Sequence, residues 1–379
     1  MPLTFEFTEP DEQEEALRAD VVEFLHAELP RDRPPTLGIA SRHDSAFSKK
    51  MAARGWVGMA LPARYGGHDR RAIDRFIVVE ECLRMGAPLM AHWVADRQTG
   101  PTILTFGTEE QKQRFLPAIA AGECWFAIGM SEPDAGSDLA GVRTTATRVD
   151  GGWSVNGTKV WTSGAHESHW FIILCRTSAD EGERHAGLSQ LIVDLRSPGL
   201  TINSIPFLDG SRHFNEVVMD DVFVPDDLVL GEVGRGWQQV NSELAYERAG
   251  PDRYLSSWQI FRWLVESAPC APGVDVDATV GRMTARFWAI RQMSMAVSRA
   301  IDAGRAPALE AAIVKDLGTC FEQEVIEMVH AVIEHEPSLD SADVGERLLA
   351  EAILTGPSFT IRGGTTEILR TIASKGLRA

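Results

Sequence analysis

The sequence predicts an α+β protein in three parts: an N-terminal helical domain, a small central domain of antiparallel strands, and a C-terminal four-helix bundle. Three observations lead there. Apolar residues recur at helical spacing through the first part of the chain. Between about residues 123 and 232, short β-branched runs alternate with turn dipeptides. Beyond that, long amphipathic stretches with short connections return, as a bundle requires. The expected domains are 1–122, 123–232 and 233–379.

The elements follow in order. Leu17, Val21, Val22, Phe24 and Leu25 suit one helix face. Arg64-Tyr-Gly-Gly67 is a turn, and Ile77 to Met85 is helical. Thr108 followed by Gln111 has the spacing of a capping box. Arg143 to Val149, Trp153 to Val155, His169 to Cys175, Leu188 to Val193 and Glu216 to Val224 read as strands. Asp150-Gly151 and Asn156-Gly157 are hairpin-turn signals. Helices are expected at Trp237–Arg248, Thr279–Ala303, Pro307–Glu334 and Ala342–Leu354, with Pro307 at a first helical position that needs no N–H.

Composition narrows the function classes. Apolar content of 44% and charged content of 24% are those of a globular protein. A net charge of −17 disfavours nucleic acid, whose phosphates it would repel. No apolar run approaches the roughly 18 residues of a membrane span. The N-terminus lacks the basic start and apolar core of a signal peptide, so a cytoplasmic location is expected. The five cysteines form no C-x-x-C pair and read as reduced thiols. The ten histidines show no H-x-x-x-H pair, and no metal is expected. Gly231-Glu-Val-Gly-Arg-Gly236 lacks the strand–helix frame of a dinucleotide fingerprint.

Two segments carry the chemistry: Trp125-Phe-Ala-Ile-Gly-Met-Ser-Glu-Pro-Asp-Ala-Gly-Ser-Asp138 and Asn156-Gly-Thr-Lys-Val-Trp-Thr-Ser-Gly164. They suit a flat aromatic cofactor with polar edges, a flavin. Ser131 and Ser163 supply hydroxyls. Trp161 supplies a rigid aromatic surface. Gly129, Gly136 and Gly164 let backbone come close to a ring or phosphate. Both segments resemble those of the acyl-CoA dehydrogenases. So do Gly55 to Gly67, Gly107 to Pro117, Val222 to Pro225 and Gly363 to Arg370, so the resemblance runs over most of the chain and weakens near 255–278 and 330–345. It implies FAD as cofactor, with Met130 and Ser131 along the ring, Ser137 near the pyrophosphate, and Trp161 and Ser163 beside the flavin edge and N5. It also assigns Thr365 to the cofactor and Arg248, Gly363 and Gly364 to the substrate.

The reaction implied by the resemblance takes a proton from the carbon beside a thioester carbonyl and a hydride from the next carbon, giving a trans-2-enoyl-CoA. A carboxylate whose pKa is raised by burial suits the base. Most of the family carries it directly before the Gly-Thr of the C-terminal motif, where this chain has Gly363. A minority, the isovaleryl-CoA type among them, carries it on the helix after the β-domain, before an Arg. Glu247-Arg248 stands there, so Glu247 is the expected base, with Glu243 one turn away as the other candidate. Glu367 reads as a helix-start carboxylate.

The family's Arg-x-x-Phe-Gly and Gln-x-x-Gly-Gly segments are replaced here by Trp258 to Pro269 and Val332 to Leu339. Arg262 is a candidate substitute for the missing pyrophosphate-binding Arg. Such losses resemble subunits of heteromeric members, so an α2β2 assembly is expected ahead of a homodimer or homotetramer. The expected acceptor is an electron-transfer flavoprotein or similar protein. Two alternatives stand beside the acyl-CoA reading: a flavin oxidase, monooxygenase or carrier-protein dehydrogenase on the same fold, and a non-catalytic partner subunit.

Overall fold

The computed structural model describes residues 3–30, 35–38, 43–178 and 183–378; within one helix the side chains of residues 242–247 lie outside the described set. Helices α1 (Glu12–Glu28), α2 (Ser45–Ala53), α3 (Ala72–Arg84), α4 (Met90–Val94), α5 (Gly100–Phe106) and α6 (Glu109–Ala120) come first, with a π-helical turn at Ala95–Thr99 between α4 and α5. Strands follow: β1 (Phe126–Gly129), β2 (Thr145–Val149), β3 (Gly152–Ser163), β4 (Trp170–Arg176), β5 (Leu188–Asp194), β6 (Leu200–Ile205), β7 (Phe214–Pro225) and β8 (Val229–Leu230). Helices return as α7 (Gly236–Glu247), α8 (Trp258–Glu266), α9 (Val276–Asp302), α10 (Ala308–His330), α11 (Val344–Thr355) and α12 (Thr366–Arg378). The order helical, β, helical is the expected one.

Contacts divide the chain into two units. One comprises Met1–Ser41, Arg71–Pro88 and Ala245–Ala379, the other Arg42–Arg70 and Leu89–Leu244. In the first, α1 and α3 pack with the C-terminal helices. Phe287 of α9 meets Phe321 of α10 edge-on at 4.7 Å and Trp258 of α8 at 5.1 Å. α8 and α11 approach so closely that a Cβ at Gly345 would lie 2.1 Å from the Trp263 indole. Buried acids are matched by arginines, as removal from water demands. Glu14 receives Arg299 at 3.0 and 2.7 Å, and Glu80 receives Arg291 at 2.6 and 2.9 Å. The first N–H groups of α3, Ala72 and Ile73, donate to the Asp302 carboxylate of α9 at 2.6 and 3.0 Å, which satisfies helix-end donors from far along the chain.

The second unit holds one sheet in the order β6-β7-β3-β2-β4-β5-β8, with β1 beside β4. Most pairs are antiparallel. β1 with β4 and the single β2–β4 pairing are parallel, so the expectation of antiparallel strands is corrected at these two places. β4 and β5 are buried almost throughout, which explains their unbroken apolar sequences. The capping box of α6 forms as expected, with Thr108 and Gln111 exchanging bonds of 3.2 Å. The Gln111 amide also donates to the carbonyls of Asp227 and Val229, at 2.8 Å each.

Two local expectations fail. Asp150-Gly151 is the turn between β2 and β3, but Asn156-Gly157 is not a turn. It lies inside β3 at a register shift against β7. Gly157 has φ +151°, and a Cβ there would meet Thr144 Oγ1 at 2.4 Å, so the glycine serves a close approach within the sheet. Pro307 sits one residue before α10, as its N-cap.

Candidate active site

Residues 130–132 are tied to β3 through one buried cation. Lys159, 0% exposed, donates to Glu132 Oε1 at 2.8 Å and to Met130 O at 3.1 Å. The Glu132 carboxylate also accepts the N–H groups of Arg143 (2.6 Å) and Thr144 (3.0 Å), and Val160 N–H donates to Ser131 O at 2.9 Å. Burial pushes the Glu132 carboxyl upward, but the Lys159 charge and these donors outweigh it and hold it below the usual carboxylate range. Burial lowers Lys159 against the pull of Glu132. Ser131 is therefore presented half-buried on a pinned backbone. The Met130 side chain packs with Leu139 and Trp237 against Ala135, Val142, Leu174, Leu188 and Val240.

Trp161 follows directly. The β3–β7 register moves three residues on β3, from Lys159 to Thr162, against two on β7, from Val217 to Asn215. The extra residue makes a bulge, and Trp161 adopts φ +59° within it. A left-handed backbone at a bulky residue costs roughly 1–2 kcal/mol, so the surrounding structure must impose it. Buried Asn215 does part of this, donating Nδ2–H to Thr162 O at 3.0 Å. The indole ends 56% exposed, edge-on to Phe214 at 5.9 Å. Ser163 is half-buried beyond it, and Gly164, at φ +61°, donates N–H to His213 O at 3.0 Å.

Ser137 is exposed between two ion-paired acids, Asp134 with Arg143 at 3.0 Å and Asp138 with Arg184 at 2.5 Å. A Cβ at Gly136 would meet nothing, consistent with open space for a ligand. Gly129 is different: a Cβ there would lie 2.2 Å from the Phe171 ring, so its role is packing rather than ligand approach. An exposed, rigidly held indole, two half-buried hydroxyls and an open glycine–serine turn fit the ring and edge of a flavin.

Glu247, Arg248, Arg262, Gly363, Gly364 and Thr365 lie in the other unit. α7 ends at Glu247, whose side chain, like that of Glu243, lies outside the described residues. Arg248 is 9% exposed, and its Nη2 lies 3.8 Å from where a Gly364 Cβ would be. Gly363 and Gly364 have φ +68° and +104°, so both positions favour glycine. Gly364 O accepts from Lys315 Nζ at 2.8 Å. The Thr365 hydroxyl accepts Ile368 N–H at 3.4 Å at the start of α12, and Glu367 lies in that helix's first turn, its pKa lowered by backbone N–H and by Thr365. Arg262 pairs with Glu266 on its own helix at 2.7 Å.

Sequence reasoning missed Lys159 and Glu132, and the α10 residues Lys315 and Glu322. For Lys159, Lys315 and Glu322 the signal available was a charged residue at an inward position of a strand or helix face; Glu132 lies in the loop after β1 and gave none. Among the described residues no group of three or more His, Cys, Asp or Glu side chains could hold a metal, and no helix is long and apolar enough to cross a membrane.

Comparison with known proteins agrees with this architecture. The pattern described as acyl-CoA dehydrogenase, N-terminal domain, matches residues 11–123, and that of the middle domain matches 127–222. Acyl-CoA dehydrogenase FadE29 of Mycobacterium tuberculosis is 35% identical over 355 residues, covering 89% of each chain. Among solved structures, the Tcur3481-Tcur3483 steroid ACAD superposes with a TM-score of 0.85 at 27% identity, covering 99% of both chains. A chain of the ChsE4-ChsE5 complex from Mycobacterium tuberculosis does so at 0.82 and 28%, covering 97% of this chain and 98% of that one. The architecture is the acyl-CoA dehydrogenase fold. The chain belongs to the acyl-CoA dehydrogenase family, whose members are flavoprotein oxidoreductases.

Proposed function

We propose that the protein catalyses FAD-dependent α,β-dehydrogenation of an acyl-CoA thioester, giving the trans-2-enoyl-CoA. The observation that carries this reading is the bulge that fixes Trp161 as an exposed indole beside the pinned Ser131 segment. Bound FAD supplies a hydride acceptor at flavin N5. Ser131 and Ser163 would hold its polar edges, Trp161 its edge near N5, and Ser137 and Thr365 its more distal parts. Glu247 takes the proton from the carbon next to the thioester carbonyl, because position 363 offers no carboxylate. The Gly363 N–H, with Gly364 beside it, donates to the thioester oxygen as negative charge develops there. Arg248 supplies a cation toward the coenzyme portion.

The assembly proposed is an α2β2 tetramer with a related chain. Arg262 pairs with Glu266 within α8, which favours another subunit as the source of the pyrophosphate contact. Two structural neighbours carry paired names, Tcur3481-Tcur3483 and ChsE4-ChsE5. The acceptor is an electron-transfer flavoprotein or a similar protein.

Anaerobic flavin bleaching tests the reading. The protein, alone and co-expressed with related neighbouring chains, is titrated with straight-chain, branched and steroid-bearing acyl-CoA thioesters. Bleaching with formation of the enoyl product is expected. Glu247→Gln should keep its flavin and lose at least about 10²-fold in rate, the low end for a general base. Unchanged turnover removes Glu247 from the mechanism, and failure to take up FAD in any assembly removes the reading itself. Hydrogen peroxide formed at the rate of substrate loss would place the protein with the oxidases.

A further inference from the structure

The Gly363–Gly364 turn is gripped from α10 at two points. Lys315, 0% exposed, donates Nζ–H to Gly364 O at 2.8 Å. About two helical turns further on, Glu322, also 0% exposed, accepts from Arg362 Nη2 at 3.1 Å. The other oxygen of the same carboxylate accepts Ser256 N–H at 2.7 Å. Arg362 Nη2 reaches Ser256 Oγ at 2.7 Å and Asp252 O at 3.3 Å as well. The Arg362 Nε is enclosed, although 21% of the side chain remains exposed. Burial raises the Glu322 carboxyl and lowers Arg362, and each opposes the shift in the other. α10 itself is seated against the 251–253 turn, where a Cβ at Gly318 would lie 2.5 Å from Arg253 O.

Arg362 and Gly364 are the two chain neighbours of Gly363, and both are held by the same helix. Two consecutive glycines have many backbone states open to them. A hydrogen-bond donor stabilises developing charge only when its direction is set beforehand. Burying a cation and a carboxylate on one helix face is costly unless both are well paired. These two are paired with the turn and its flank.

We infer that Lys315 and Glu322 are positioning residues which, through Gly364 O and Arg362, fix the direction of the Gly363 N–H toward the thioester oxygen. This rests on the dehydrogenation reading above.

The test uses the holoprotein in its native assembly, unmodified and as Lys315→Met, Lys315→Arg and Glu322→Gln. Two quantities are read: kcat and KM with the best acyl-CoA, and the apparent pKa at which a bound 3-thiaacyl-CoA loses the proton next to its carbonyl. Losing a preorganised oxyanion donor costs about 10²–10³-fold, so a misdirected one should cost about 10- to 100-fold in kcat. KM should change little. The pKa of the bound analogue should rise by about one to two units, the same factor in proton affinity. Lys315→Arg should recover most of both. A merely structural lysine would alter protein yield or thermal midpoint and leave the pKa of the analogue where it was. Unchanged kcat and unchanged analogue ionisation in Lys315→Met overturn the inference. If that variant does not fold, Glu322→Gln carries the same expectation and the same refuting result. No bleaching of the unmodified holoprotein by any thioester would instead remove the dehydrogenation reading.

Discussion

Replacing Lys159 by Met removes the one side-chain cation that holds Glu132, while keeping a long apolar stem in the same space. Lys159 is 0% exposed and the Glu132 side chain 6%, so water cannot take the place of the missing ammonium. Breaking a buried pair by removing one partner costs about 3–5 kcal/mol. Glu132 keeps two backbone N–H donors, from Arg143 and Thr144, which places the expected cost toward the lower end. At about 2–4 °C per kcal/mol for a unit of 150–250 residues, the thermal midpoint should fall by roughly 6–12 °C. The assay is thermal unfolding by circular dichroism with flavin content measured in parallel, because Met130 O loses its partner too. The pH dependence has a definite sign. The Glu132 carboxyl is depressed in the folded protein, so its stabilising contribution is present above the unfolded carboxylate pKa of about 4.3 and is lost as pH falls through the lower folded value. The gap between protein and variant should therefore narrow in acid. Adding Glu132→Gln should recover part of the loss, since no buried charge then remains. A Lys159→Met midpoint within about 3 °C of the original at neutral pH would refute the argument.

Other perturbations follow from the same geometry. Gly345→Ala places a methyl 2.1 Å from the Trp263 ring and should cost about 1–3 kcal/mol by overpacking, read as a lowered denaturant midpoint. Arg262→Ala removes only an exposed i,i+4 pair worth up to about 0.5 kcal/mol and should leave flavin content unchanged; loss of flavin would make Arg262 a cofactor ligand after all. Cys124 and Cys175 are buried with thiols pushed up to about 12 by desolvation, so mild thiol labelling of the native protein at neutral pH should spare both and reach Cys270 and Cys320 first, as peptide mapping would show.

Much of the architecture was legible because it is written in periodicity. The Thr108–Gln111 capping box and the β4 and β5 runs follow directly from composition at fixed spacing. Asn156-Gly157 misled because the glycine serves a close approach to Thr144 inside the sheet, at a register shift whose extra residue lies on β7, and no local pattern in the dipeptide distinguishes that from a hairpin turn. α8 was read only as a departure from a family segment, although five of its nine residues are buried. In the site, Trp161 and the two serines stood out as residue types. Their mounting did not, because the Lys159–Glu132 pair and the Lys315–Gly364 contact join residues 27 and 49 apart. No local pattern announces such a partner.

The Asp302 cap on α3 bears on how the chain is made. Ribosomal synthesis delivers residues in order, at about 5–20 per second. The strands and their companion helices are all outside once residue 244 emerges, whereas α1 and α3 still lack α9. Until the C-terminal portion is translated, Glu14 and Glu80 have only their early partners, Arg71 and Arg18, and lack Arg299 and Arg291. A nascent chain stalled near that point would leave bare the side of α3 that α9 later covers, and its first N–H groups without the Asp302 carboxylate.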